Sequence, residues 1–191
     1  INQIRSSIKD ARTLPNIYLV HGDMSNEEIN ELYTHKKVKA MISLTKGEGF
    51  GRPLLEFSLT KKPIITTNWS GHIDFLSPKF TTLLPGSLHN LDDSSVVQNM
   101  LMKEYQLFAV DPQSAYTAFR DMFTNYKDYK EKANRQAFIS KSKFSFEKMV
   151  EQLEGYLENY LPEFPKPIKL KLPKINKIEL PKTKEVENVE G

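Results

Sequence analysis

The chain of 191 residues contains no cysteine. That excludes disulfides, thiolate nucleophiles and zinc–thiolate centres. It has a single tryptophan. No apolar run approaches the length that crosses a bilayer. The sequence does not open on a signal-peptide pattern either, so a cytoplasmic protein is expected. It begins with Ile1 rather than Met, which suggests a piece of a longer polypeptide. Charge of one sign is scarce. The formal net charge is +3, and the segment from Pro162 to Gly191 has seven Lys against five Glu, which leaves about +1 for the rest. A body so close to neutral makes no polyelectrolyte case for nucleic acid. Metal signatures are missing too. His21, His35, His72 and His89 have no ligand spacing, there is no His-Glu-x-x-His, and no Asp-x-Asp triplet occurs. No obligatory metal or other cofactor is therefore expected.

What is present is alternation. Ile1 to Arg12 has Ile1, Ile4 and Ile8 at helical spacing. Asn16 to Val20 (NIYLV) is short, apolar and rich in β-formers, and predicts a buried strand. Ser25 with Glu28 three residues on is a capping box, opening a helix through His35 with Ile29, Leu32 and Tyr33 on one face. Val38 to Leu44 predicts the next strand. Arg52 to Thr60 predicts a helix, with Pro53 in its first turn and Leu54, Leu55 and Leu59 buried. Pro63 to Thr67 and Phe80 to Leu84 predict two further strands. Short connections between apolar strands and helices indicate an α/β, Rossmann-like parallel sheet with helices on both faces.

Beyond Gly86 the pattern changes. Leu88 to Val110 has no assignment. Pro112 to Tyr126 and Tyr126 to Ser140 read as helices, and Ser145 to Tyr160 is amphipathic, with Met149, Leu153, Tyr156 and Leu157 on its apolar face. Five of the eleven prolines fall after Leu161. We read 1–161 as one domain with a helical C-terminal part, and 162–191 as an extended, disordered Lys/Pro-rich tail. Its Glu residues and scattered charge favour solvation, so membrane contact is not indicated.

In an open parallel sheet, ligands bind beyond the C-terminal strand ends. Three loops lie there: His21 to Met24, Thr45 to Gly51, and Asn68 to His72. The segment GEGFGRPLLE, Gly47 to Glu56, has three glycines that admit close backbone approach. Its helix start offers unpaired amides to an anion. Glu48 and Glu56 stand eight residues apart, and a carboxylate accepts two hydrogen bonds from a vicinal diol. Anion-binding amides beside carboxylates suit a ligand with both phosphates and hydroxyls. No Gly-Lys-Ser/Thr follows, and the spacing is not that of a dinucleotide fingerprint.

Ile42 to Leu76 resembles the central signature of the retaining GT-B glycosyltransferases of family 4 (glycosyl transferases group 1). Asn16 to Leu84 is similar to that family throughout, and Pro112 to Tyr160 more loosely. The resemblance implies the C-terminal, donor-binding half of a two-domain GT-B enzyme, which moves a glycosyl group from a nucleotide sugar to an acceptor with retention. It implies that Glu56 binds the donor ribose and that Glu48 touches the transferred sugar as the catalytic position. The amides of Gly49, Phe50 and Gly51 would meet sugar and phosphates. Leu54 and Leu55 would lie near pyrophosphate and ribose, and His21 and Gly22 near the base. The family's basic Arg/Lys pair, and the N-terminal half with the acceptor pocket, would precede Ile1, so this chain alone is not expected to catalyse transfer.

Arg52 departs from the family's usual apolar residue, and is read either as a phosphate partner or as a cap on the sheet edge. Lys46 is read as a phosphate partner or as plain loop charge. His72 is read as a ligand contact or as a structural histidine, and Trp69 as a stacking platform or as packing. Two alternatives to the transferase stay open: a non-catalytic sugar-nucleotide-binding scaffold, and another GT-B activity such as an epimerase or phosphorylase.

Overall fold

The computed structural model describes residues 14–92, 94, 96, 100 and 104–162. The helix expected over Ile1 to Arg12 and the tail beyond Pro162 lie outside them. Contacts divide the chain into two units, 1–152 and 153–191.

In the first unit α1, Asn26–Thr34, begins at the expected capping box. Ser25 Oγ accepts from the Glu28 amide, and the Glu28 carboxylate accepts from the Ser25 amide. Then come β1 (Met41–Ser43), α2 (Arg52–Ser58), β2 (Ile64–Thr67), a 3₁₀ turn (Gly71–Asp74) and β3 (Thr82–Leu84). The three strands form one parallel sheet in the order β1-β2-β3, with Met41 beside Ile64 and Ile65 beside Thr82. Every residue of β2 is buried, as expected of a central parallel strand.

Strand alternation splits the core in two. Ile64 packs with Leu54, Phe57, Phe75 and Leu76, under α2. Its neighbour Ile65 faces the other way, onto Leu84, Ala115 and Met122 of α3 (Pro112–Thr124). Helices therefore cover both faces, as expected. α4, Tyr126–Lys143, ties the layers together. Gln136 donates from Nε2 to the Phe75 carbonyl at 2.8 Å and to Ser140 Oγ at 3.1 Å. Its Oε1 accepts from the Ser77 amide at 2.9 Å and from Thr81 Oγ1 at 3.3 Å. The Ser58 hydroxyl donates to Ser140 Oγ at 2.8 Å. These polar groups are buried, and the mutual pairing makes that burial tolerable.

Two expectations need correction. Asn16 to Val20 forms no strand, and Ile17, Tyr18, Leu19 and Val20 are exposed. In α2, Leu59 is exposed while Phe57 and Ser58 are buried, because the face at Leu54, Phe57 and Ser58 meets the sheet. The unassigned stretch contains an antiparallel pair, β4 (Gly86–Asn90) with β5 (Gln106–Val110). The amphipathic helix, α5 (Phe146–Tyr160), has no buried residue. Met149, Leu153, Tyr156 and Leu157 share a face and are exposed, as expected of an apolar face with no partner inside this chain. Among the described residues no helix is long and apolar enough to cross a membrane.

Candidate functional site

β1 ends at Ser43 and the chain enters the loop Thr45 to Gly51, at the C-terminal edge of the parallel sheet. Thr45 Oγ1 closes a small turn, accepting from the Gly47 amide and donating to the Gly47 carbonyl. The loop ends at Gly51, whose φ of +87° lies in the left-handed region. A Cβ there would stand 3.0 Å from His72 Cβ, so glycine meets both a conformational and a steric need.

Two elements hold this loop. On one side Ser70 and Gly71 grip Glu48. The Glu48 amide donates to Ser70 Oγ at 2.8 Å, Ser70 Oγ donates to the Glu48 carbonyl at 2.5 Å, and the Gly71 amide donates to that carbonyl at 3.1 Å. On the other side the β4–β5 pair leans in. The Phe108 amide donates to the Lys46 carbonyl at 3.2 Å, and the Phe108 ring stacks on Trp69 at 5.9 Å. Phe50 anchors the loop to the core through Phe75, with centroids 5.1 Å apart.

Among the described residues, the amides of Gly49, Phe50 and Gly51 have no hydrogen-bond partner. The amides of Leu54 and Leu55 are both taken by the Gly51 carbonyl, at 2.9 and 3.1 Å. The donors without a partner among the described residues are therefore those of the loop end and of Arg52 at the first helical position, not those of Leu54 and Leu55. Leu54 is buried and Leu55 half-buried, so both act as packing.

Glu48 is half-buried and Gly49 exposed. Glu56, one turn into α2, pairs with Arg52, whose Nε lies 3.0 Å from Oε1. The two side chains are 75 % and 43 % exposed, so water screens the pair and it contributes little to stability. Arg52 thus neither caps the sheet edge nor stands free. Glu56 and Arg52 line a groove of about 400 Å³ between α1 and α2, together with Asn26, Asn30 and Tyr33. The Tyr33 hydroxyl is pushed up from its ordinary pKa, first by burial and then by the Glu56 charge.

The remaining candidates fall apart from this groove. His21 and Gly22 are exposed, in the stretch before the α1 cap, and do not line it. The side chain of Lys46 is exposed. His72 is fully buried behind Gly51. Its Nε2 sits 2.7 Å from the Thr67 carbonyl, to which it donates as the Nε2–H tautomer. Nδ1 is then a buried acceptor with no partner among the described residues. His72 is thus packed inside the protein, and Trp69 stacks on Phe108. Among the described residues no three His, Asp or Glu side chains are grouped to hold a metal.

Sequence reasoning overlooked Tyr33 as a groove residue and Ser70 as a grip on the loop. The signal for Tyr33 was its place on the helical face with Ile29. Ser70 gave no local signal, because its role depends on a residue 22 positions away.

No curated protein matches the chain. Residues 3–87, which carry α1, α2, the parallel sheet and the glycine loop, match the family model described as glycosyl transferases group 1, so this segment is similar to the glycosyl-transferring domain of that family.

Proposed function

We propose that this chain is the donor half of a retaining, nucleotide-sugar-dependent glycosyltransferase, with the loop Gly47 to Glu56 as its donor site. The observation that carries the reading is the pairing of free loop amides with two accessible carboxylates. Among the described residues the N–H groups of Gly49, Phe50 and Gly51 have no partner, while Glu48 and Glu56 remain within reach of solvent. Phosphate oxygens suit the amides, and hydroxyls suit the carboxylates.

In this reading Glu56 accepts from the ribose diol and Glu48 from the transferred sugar. Developing charge on the leaving diphosphate is met by the loop amides, supplemented by cations from the partner half. Arg52 then has to release Glu56 when the ribose binds. The protein supplies orientation and electrostatics, and needs no metal for these contacts.

Calorimetric titration with UDP, GDP and ADP tests the assignment. The preferred nucleotide should bind measurably, and Glu56→Ala should weaken it about tenfold or more, the loss of a charge-assisted hydrogen bond of about 1.5–3 kcal/mol. Unchanged affinity for all three nucleotides in Glu56→Ala would remove the ribose role.

A further inference from the structure

Ser70 occupies backbone that serine rarely takes. Its φ is +80° and its ψ −172°, in a region essentially reserved for glycine. Strain of that kind persists only where its surroundings over-determine it. Here the surroundings are identifiable. The Ser70 hydroxyl spends both its donor and an acceptor lone pair on the backbone of Glu48, at 2.5 and 2.8 Å. The next residue continues the grip. The Gly71 amide donates to the Glu48 carbonyl, and a Cβ on Gly71 would lie 2.0 Å from the Gly49 carbonyl oxygen. The strand β2 and the buried His72 fix both ends of this turn.

A glycine at position 70 would satisfy the backbone without strain. It would lose the hydroxyl, and with it two of the bonds that set Glu48. We propose that Ser70 is a positioning residue. It latches the Glu48 peptide so that the Glu48 side chain faces the transferred sugar rather than the nucleotide. The sugar part of this inference rests on the donor-site reading above. The latch itself does not.

The test compares Ser70→Gly with Ser70→Ala in the full chain. Ser70→Gly removes hydroxyl and strain together, whereas Ser70→Ala removes the hydroxyl and keeps the strain. Ser70→Gly should therefore melt no lower than Ser70→Ala. In both, the Glu48 amide should exchange with solvent about tenfold faster, as expected for loss of one protecting hydrogen bond. For ligand, UDP-glucose, UDP-N-acetylglucosamine, GDP-mannose and ADP-glucose are each titrated beside their free diphosphate. The gain in affinity from the attached sugar should fall about tenfold in Ser70→Gly, with affinity for the free diphosphate unchanged.

Glu48 exchange equal to wild type in Ser70→Gly would overturn the latch, whatever the ligands do. Equal losses for sugar nucleotide and diphosphate, or an undiminished sugar gain, would overturn the sugar-positioning role. Wild-type protein that binds none of the nucleotides would instead defeat the donor-site reading, and the sugar role with it, while the exchange rates still decide the latch.

Discussion

At the scale of single residues, Arg52 and Glu56 show how a signature can mislead about its own chemistry. Spacing alone identifies Glu56 as an acceptor and leaves Arg52 with two readings. The structure joins them at 3.0 Å, so in the proposed donor site a ribose diol would compete with a guanidinium for the same carboxylate. An exposed i, i+4 pair is worth about 0.3–0.5 kcal/mol, so the competition is mild. Arg52→Ala should therefore leave nucleotide affinity unchanged or raise it about twofold, in contrast to Glu56→Ala, and calorimetry on the two variants reads the difference. A large loss in Arg52→Ala would return Arg52 to the phosphate. Glu48 and Glu56 were recognisable because they belong to a contiguous motif. Ser70 and His72 were not, since one acts through a residue 22 positions away and the other is decided by burial.

At the scale of elements, capping and periodicity were reliable where local chemistry decides. The box at Ser25 and the start of α2 at Pro53 lie where the residues put them. Elements that depend on distant partners were less legible. β4 and β5 pair across a long connection, from Asn90 to Gln106, and the apolar run Asn16 to Val20 forms no strand. A buried amide helps to hold α4. Gln136 fills both its donor and acceptor sites from Phe75, Ser77, Thr81 and Ser140. Gln136→Ala leaves those groups unpaired around a cavity, and should lower unfolding stability by about 2–4 kcal/mol, measurable as a lower urea midpoint. A smaller change would mean that water replaces the amide.

Two further predictions belong to the molecule as a whole. Tyr129 anchors α4 against the sheet, and its hydroxyl donates to Asp121 at 2.5 Å. Burial, then this bond and the Asp121 charge, raise its pKa from 10.0 to about 12. A folded-state pKa above the unfolded one means that the stabilising contribution is complete below pH 10 and is lost as pH rises through 12. Stability should fall across that alkaline window, and Tyr129→Phe should remove that part of the fall in a pH series of thermal melts. α5 provides the contrast. Its apolar side chains are exposed, so Leu153→Lys with Tyr156→Lys should shift the melting temperature of this chain by less than about 2 °C, as surface substitutions do. A larger drop would mean that the face is buried in solution.

The sequence by itself determined the class of the fold, the helix starts and the position of the glycine loop, because hydrophobic period, caps and glycine act over a few residues. It also determined which carboxylates stand in the signature. Tertiary structure alone decided what each site residue does with its neighbours: the Arg52–Glu56 pair, the Ser70 latch on Glu48, the burial of His72 and the stacking of Trp69 on Phe108. Those outcomes turn on distances between chain segments and on which groups lose water. Neither is encoded in local spacing.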